Sequence, residues 1–199
     1  ANENLTPERS RSFDAGVQYF LANGLDVKAV FFSRQVEDGI AYITNYVNLD
    51  QQKDRGFEFE LRYGSGKKLQ ASAFYAYVDG EVTTQTFAGT DTTFNNLFKR
   101  PRHSWGTTIN YAPAPKWNIS AVFQSFGQRD DVFFDLSDFT TERVTLNSYQ
   151  LLDLHVNYAI NNHLNAFADI RNLLNADYQE VYGFSTQPVN FTAGLTFNF

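Results

Sequence analysis

Residues 57–77 read Phe57-Glu58-Phe59-Glu60-Leu61-Arg62-Tyr63, pass through Gly64-Ser65-Gly66, and return as Leu69-Gln70-Ala71-Ser72-Ala73-Phe74-Tyr75-Ala76-Tyr77. In the first arm, apolar and ionised residues alternate one for one. Side chains along a strand point alternately to opposite faces. Phe57, Phe59, Leu61 and Tyr63 therefore share one face, and Glu58, Glu60 and Arg62 share the other. The glycine-rich stretch is turn chemistry, and it sends the chain back as a second strand. The pair reads as a β-hairpin with one dry side and one wet side.

Working outward, the same period recurs about nine times, each time over roughly 9–11 residues. The apolar series continues through Phe13, Ala15, Val17 and Tyr19, then Leu25, Val27, Ala29 and Phe31. Further on it runs through Trp105, Thr107, Ile109 and Tyr111, then Trp117, Ile119, Ala121 and Phe123. It closes with Leu152, Leu154, Val156 and Tyr158, then Leu164, Ala166, Ala168 and Ile170, then Phe191, Ala193, Leu195, Phe197 and Phe199. No charge falls in this series, whereas Asp26, Lys28, Arg34, Asp153, His155 and Asp169 lie in the interleaved one.

Short connections are predicted at 20–24 (with the type I′ signal Asn23-Gly24), 64–68, 112–116 and 159–162. Long loops are predicted at 36–54, 79–102, 128–148 and 173–188. Alternating short and long connections are the pattern of an antiparallel up-and-down transmembrane β-barrel. All five prolines fall outside the predicted strands, where a missing N–H does no harm.

Composition narrows the choice. The chain has 199 residues, of which 17% are aromatic. It contains no apolar run near the ~20 residues that a membrane-spanning helix needs. Cysteine is absent, which excludes a thiol enzyme or a thiolate metal site. A net charge of −6 argues against nucleic acid as a partner. The first residues do not read as a signal peptide, so for an exported protein that segment is expected to lie outside these 199 residues. Tyr19, Tyr63, Tyr111, Trp117 and Tyr158 sit beside the short turns, and small residues such as Ala73 and Ala121 occupy mid-strand positions. A membrane barrel places its rings at the headgroup level, whereas a soluble sandwich gathers them mid-strand.

Several motifs then resemble the TonB-dependent outer-membrane receptors. These are Asn4-Leu5-Thr6-Pro7-Glu8-Arg9-Ser10 entering a strand, Asp54-Arg55-Gly56-Phe57-Glu58-Phe59-Glu60-Leu61, and Arg100-Pro101-Arg102-His103. To them add Ile170-Arg171-Asn172-Leu173-Leu174-Asn175 with Tyr178, and the terminal Gly194-Leu195-Thr196-Phe197-Asn198-Phe199. Many members carry Pro-Gly-Arg before the last strand, where this chain has Pro188-Val189-Asn190.

The resemblance implies that residues 1–199 are the C-terminal portion of the receptor barrel, about the last nine of roughly 22 strands around a plugged lumen. The plug domain, the N-terminal strands and the TonB-contacting segment would lie outside this chain. The implied location is the bacterial outer membrane. The implied partners are membrane lipid and lipopolysaccharide, the plug and remaining strands, TonB, and a scarce nutrient complex (iron-siderophore, haem or cobalamin) imported by the whole protein. Two other readings are a small outer-membrane pore or adhesin barrel, disfavoured by the odd strand count, and a soluble β-sandwich binding module.

No catalytic constellation, cofactor motif or metal-ligand spacing is present, so an enzyme is not expected. Asp153 and His155 share the wet face of one strand, as lumen polar residues do. Asp50, Asp54, Asp130 and Asp131 read as solvated loop acids rather than a calcium site. The loop aromatics Tyr42, Tyr46, Phe94, Phe133, Phe134, Tyr178 and Tyr182 read either as a ligand-binding surface or as loop–loop packing over the barrel mouth. Arg100 and Arg102 join the first reading as the cations that would meet an anionic chelate or a lipopolysaccharide phosphate, with a solvated pair as the alternative.

Overall fold

The computed structural model describes the chain except residues 1, 22, 43–44, 67, 86–89, 96–97 and 137–139; the side chains at 41, 42, 49, 50, 65, 84, 85, 134, 140 and 141 also lie outside the description. Twelve strands form among the described residues. They are β1 (Arg9–Leu21), β2 (Leu25–Tyr42), β3 (Tyr46–Ser65), β4 (Leu69–Gln85), β5 (Asp91–Phe94), β6 (His103–Tyr111), β7 (Trp117–Phe126), β8 (Arg129–Asp135), β9 (Thr140–Leu146), β10 (Tyr149–Ala159), β11 (Leu164–Arg171) and β12 (Asn190–Phe197).

Nine of them run side by side in the order β1-β2-β3-β4-β6-β7-β10-β11-β12, every pair antiparallel. These are the nine strands expected from the alternation. Strand β5 pairs with the far end of β4, and β8-β9 form a separate two-stranded sheet. The sheet is not closed: β1 and β12 are its two edges and do not pair with each other. Every side chain of β1 is exposed.

The predicted turns form for the reason given. Asn23 and Gly24 adopt φ of 70° and 77°, the two left-handed residues that a type I′ turn needs. The predicted long loop at 36–54 is a correction. Strand β2 runs to Tyr42 and β3 begins at Tyr46, so the ladder continues almost to the tip, interrupted by register shifts near Gly39. Alternation fades there because both faces meet water, while backbone pairing carries on without it. Likewise 79–102 contains β5 and 128–148 contains the β8-β9 hairpin.

The two faces separate as the sequence requires. Phe57 lies beside Tyr75 and Tyr77 with ring centroids 5.7 and 5.3 Å apart, and the Tyr75 hydroxyl is 2.7 Å from His103 Nδ1. This is an aromatic belt at the loop end. At the turn end, Trp117 packs on Tyr158 at 4.5 Å. Two belts therefore bound the apolar face, where the sequence displayed one. From Gly64 back to Arg55, the first charge on that face, β3 rises about 30 Å at roughly 3.3 Å per residue. Tilted by about 35°, that is about 25 Å of height, the depth of a barrel's apolar band.

Among the rings on the ionic face, three stand in mid-strand where the alternation did not forecast them. Phe32, Phe74 and Phe167 lie opposite Gly56, Gly106 and Gly194 on neighbouring strands. A Cβ built on each glycine would come within 2.7 Å of the facing ring. The missing side chains make room for rings to lie flat on the wall.

Two outcomes follow for the intact barrel in a bilayer. Ala121→Arg should lower its unfolding free energy by about 2–4 kcal/mol, while Ser120→Arg, one residue along on the ionic face, should cost well under half as much. Equal losses in denaturant titrations would mean that the faces are misassigned. A bimane probe at Ala73 should report hydrocarbon.

Candidate functional site

The loop end of the sheet is where charged and aromatic side chains converge. Its first element grows from the ionic face of β2-β3. Arg34 and Asp54 are register partners, and Arg34 donates through Nε and Nη2 to the two carboxylate oxygens at 3.1 and 2.7 Å. Arg100 Nη1 reaches the same carboxylate at 3.9 Å, and Gln52 Nε2 donates to it at 3.4 Å. Asp54 is buried, while both arginines keep part of their surface open. One anion thus holds two guanidinium groups at the mouth.

The second element fastens three connections together. Asp131, only 1% exposed, accepts hydrogen bonds from the backbone N–H of Val132 (2.8 Å) and of Tyr182 (3.0 Å). Lys99 Nζ stands 3.7 Å from it, and the Lys99 N–H donates to the Asp130 carbonyl at 2.7 Å. Asp130 is buried against Arg143 at 2.5 Å, with Thr145 donating at 3.2 Å. The reading of Asp54, Asp130 and Asp131 as solvated loop acids is therefore corrected: all three are buried and paired. The Asp50 side chain lies outside the description. Among the described residues no group of three or more acids or histidines is placed to hold a metal.

The third element is a stack. Tyr149 packs on Tyr178 at 4.3 Å and on Phe126 at 5.0 Å, with the Arg129 guanidinium 4.8 Å over its ring. Arg129 also donates to the Gln179 carbonyl. A cation over an aromatic face is attracted by the ring quadrupole. Beneath it, Asn172 and Asn175 take φ of 50° and 48°. The Asn172 side chain donates to the Ala176 and Gln187 carbonyls and accepts from the Ala176 N–H, while its own N–H donates to Asp153. Asn tolerates the left-handed region and bonds local backbone, which explains the Arg-Asn-Leu-Leu-Asn motif.

The nine expected ligand residues do not form one surface. Tyr182 meets Phe133 edge-on at 5.1 Å, and both remain partly open beside the Asp131 latch. Tyr178 is spent on packing against Tyr149. Phe94 packs on Phe98 at 4.9 Å. Arg100 turns to Asp54, whereas Arg102 pairs with Asp79 at 3.2 Å and donates to the Asn95 carbonyl. Tyr46 is exposed at the β2-β3 tip. Tyr42 pairs with it through the backbone, and the side chains of Tyr42 and Phe134 lie outside the description. Tyr42, Tyr46, Phe94, Phe133 and Phe134 belong to strands, not to the loops assigned to them. Arg34 and Arg129 were missed. Their signals were a cation opposite a carboxylate, which needs the register, and a cation beside a tyrosine, which needs the loop path.

Comparison with known proteins adds the following. The family model described as TonB dependent receptor-like, beta-barrel matches residues 1–173. Among solved structures, the pyoverdine outer membrane receptor FpvA from Pseudomonas aeruginosa PAO1 superposes with a TM-score of 0.79 at 17% identity, covering 100% of this chain and 31% of that one. The ferric-catecholate import receptor Fiu from K12 E. coli gives 0.76 at 16% identity, with 100% and 29% covered. The siderophore receptor PiuA from Acinetobacter baumannii gives 0.74 at 22%, with 94% and 28% covered. The chain thus spans about three-tenths of the length of these structures.

Asp131→Ala should unfasten the mouth. It strands the Tyr182 N–H and removes the carboxylate facing Lys99, a loss of about 1–3 kcal/mol in local stability. Amide exchange in the intact protein should quicken about tenfold or more at Tyr182 and Val132 and leave β6-β7 unchanged. Unaltered exchange at Tyr182 would show that the latch carries no energy.

Proposed function

Since this chain belongs to the TonB-dependent receptor β-barrel family, a family of bacterial outer-membrane proteins, we propose that it forms the C-terminal wall of a larger, plug-filled barrel importing a ferric siderophore. The proposal makes the ionic face the lumen wall and the apolar face the lipid side. The two open edges would be satisfied by the remaining strands of the parent barrel, because hydrocarbon tolerates no unpaired backbone. TonB would act on the plug through the part of the protein outside this chain, using inner-membrane proton-motive force.

The observation that carries the ligand class is the Arg34-Asp54-Arg100 cluster. Two partly open guanidinium groups on the lumen side of the mouth suit an anionic chelate, which they would grip through charge-assisted hydrogen bonds. Phe133 and Tyr182 add apolar surface at the loop end. Haem is less well served, since its iron calls for an axial side chain, most often histidine. His103 is held on the apolar face by Tyr75, His163 sits at the turn end against the Asn198 carbonyl, and His155 is paired with Asp169 at 2.7 Å in mid-wall. FpvA, Fiu and PiuA are named for siderophores, in keeping with this choice.

The test is uptake of 55Fe by cells expressing the intact receptor, offered ferric catecholate, ferric hydroxamate or haem. Energy-dependent uptake of at least one ferric chelate is expected, abolished by a protonophore. Arg100→Ala should weaken binding of that chelate about tenfold, as the loss of a charged hydrogen bond would. Uptake of haem alone would overturn the ligand class; uptake that survives the protonophore would overturn the transport reading.

A further inference from the structure

Beneath the Arg34-Asp54-Arg100 cluster, the ionic face of β1-β2-β3 is hollowed into a cavity of about 290 Å³. The cluster is its roof and Phe32 its back, with Asp14 and Glu58 on either side. The ladder sets this order. Ser12 faces Arg34, Asp14 faces Phe32, and Phe32 faces Gly56, with Glu58 two residues further along β3. Ser33, which belongs to the other face, borders the cavity as the link between Phe32 and Arg34.

Two features set the lower part of this cavity apart from the wall around it. The first is unused negative charge. On the same face Asp54 is taken by Arg34, Glu60 by Arg62, and Asp26 by the Gln18 amide. Asp14 and Glu58 are exposed, and among the described residues neither carboxylate has a hydrogen-bond or ion-pair partner. The second is an open ring face. Gly56 has no side chain to lift Phe32 off the wall, since a Cβ there would come within 2.7 Å of the ring. The ring lies flat, and its π surface is turned to the cavity between the two acids.

A free carboxylate on each side of an aromatic face suits a cation: the ring quadrupole attracts it, and the carboxylates accept its charged hydrogen bonds. The guanidinium groups of the roof want the opposite sign. Asp14 lies two residues along β1 from the level of Arg34, and Glu58 four along β3 from Asp54. At roughly 3.3 Å per residue the two ends are about 7–13 Å apart.

We infer that the cavity selects a ferric chelate that is itself dipolar. Its anionic, metal-binding end is held by Arg34 and Arg100, and a protonated amine on an arm of the same chelate is seated on Phe32 between Asp14 and Glu58. The cavity has room for an alkylamine arm and not for a whole chelate, so the iron centre stays above it, at the guanidinium groups. Asp14, Phe32 and Glu58 are then specificity-determining residues. The inference deepens the proposed function and rests on it.

Binding to the intact receptor in detergent is measured with two synthetic ferric tris-catecholates that differ in one group, a pendant primary amine or its N-acetyl derivative. At pH 7 the amine is charged and the acetamide is not. The wild type should bind the amine form about tenfold tighter, the scale of one charged hydrogen bond. Asp14→Asn, Glu58→Gln and Phe32→Leu should each shrink that ratio. Asp14→Asn combined with Glu58→Gln should bring it to unity and leave affinity for the acetylated form unchanged. Asp26→Asn, the same charge change lower on the same wall, should keep the full ratio. If the double variant fails a heat-modifiable gel mobility check, the single variants decide. Equal affinity for the two probes in the wild type overturns the inference, and so does binding of neither. Variants that weaken both probes alike also overturn it, as side chains that only brace the wall would do. The transport reading is judged apart: a receptor that takes up 55Fe under proton-motive force but ignores the amine keeps its function and loses only this selectivity.

Discussion

A backbone amide inside hydrocarbon has no water to bond, and the rest of this structure is arranged around that fact. Nine strands pair side by side along one antiparallel path, with β1 and β12 as its two edges. The ladder also fixes which side chains share a face, because one residue of slippage would move Phe57, Phe59 and Leu61 to the ionic side and Glu58 and Glu60 to the apolar one. The register is thus doubly enforced, by pairing and by the cost of a misplaced charge.

Much of this was legible in the chain. The Phe57–Tyr63 alternation, the Asn23-Gly24 turn and the spacing of short connections need only nearest-neighbour geometry, and those elements formed where expected. What escaped notice depends on partners far apart in sequence. Between residues 36 and 54 the alternation dissolves because water wets both sides, yet the strands persist on backbone bonds. Phe32, Phe74 and Phe167 break the pattern on the ionic face, and they make sense only once each is seen opposite a glycine. The burial of Asp54, Asp130 and Asp131 draws on Arg100, Lys99, Arg143 and Tyr182, which no local window brings together.

The mouth combines two kinds of electrostatics. At Asp131 the carboxylate is shut away from solvent and surrounded by backbone donors, so it acts as a structural pin between segments. At Asp54 the carboxylate is equally hidden but its two arginines stay partly wet. The first arrangement holds shape. The second keeps positive charge available, with the shared carboxylate offsetting the repulsion between the two guanidinium groups. Tyr149, clasped between Tyr178, Phe126 and Arg129, ties the β11-β12 connection to the β10 strand and shows how aromatic residues at a rim can serve architecture first.

The height of the β2-β3 hairpin gives the rim an uneven profile. From Arg55 to Tyr46 the ladder climbs about 30 Å further at roughly 3.3 Å per residue, standing in water on both sides with no slab of fat to penalise a broken bond. On warming, that parapet should fray from its tip inward while the submerged staves stay knit, so the molecule has two cooperative units of unequal endurance. A force applied to such a promontory would meet a part able to give way without breaching the wall below.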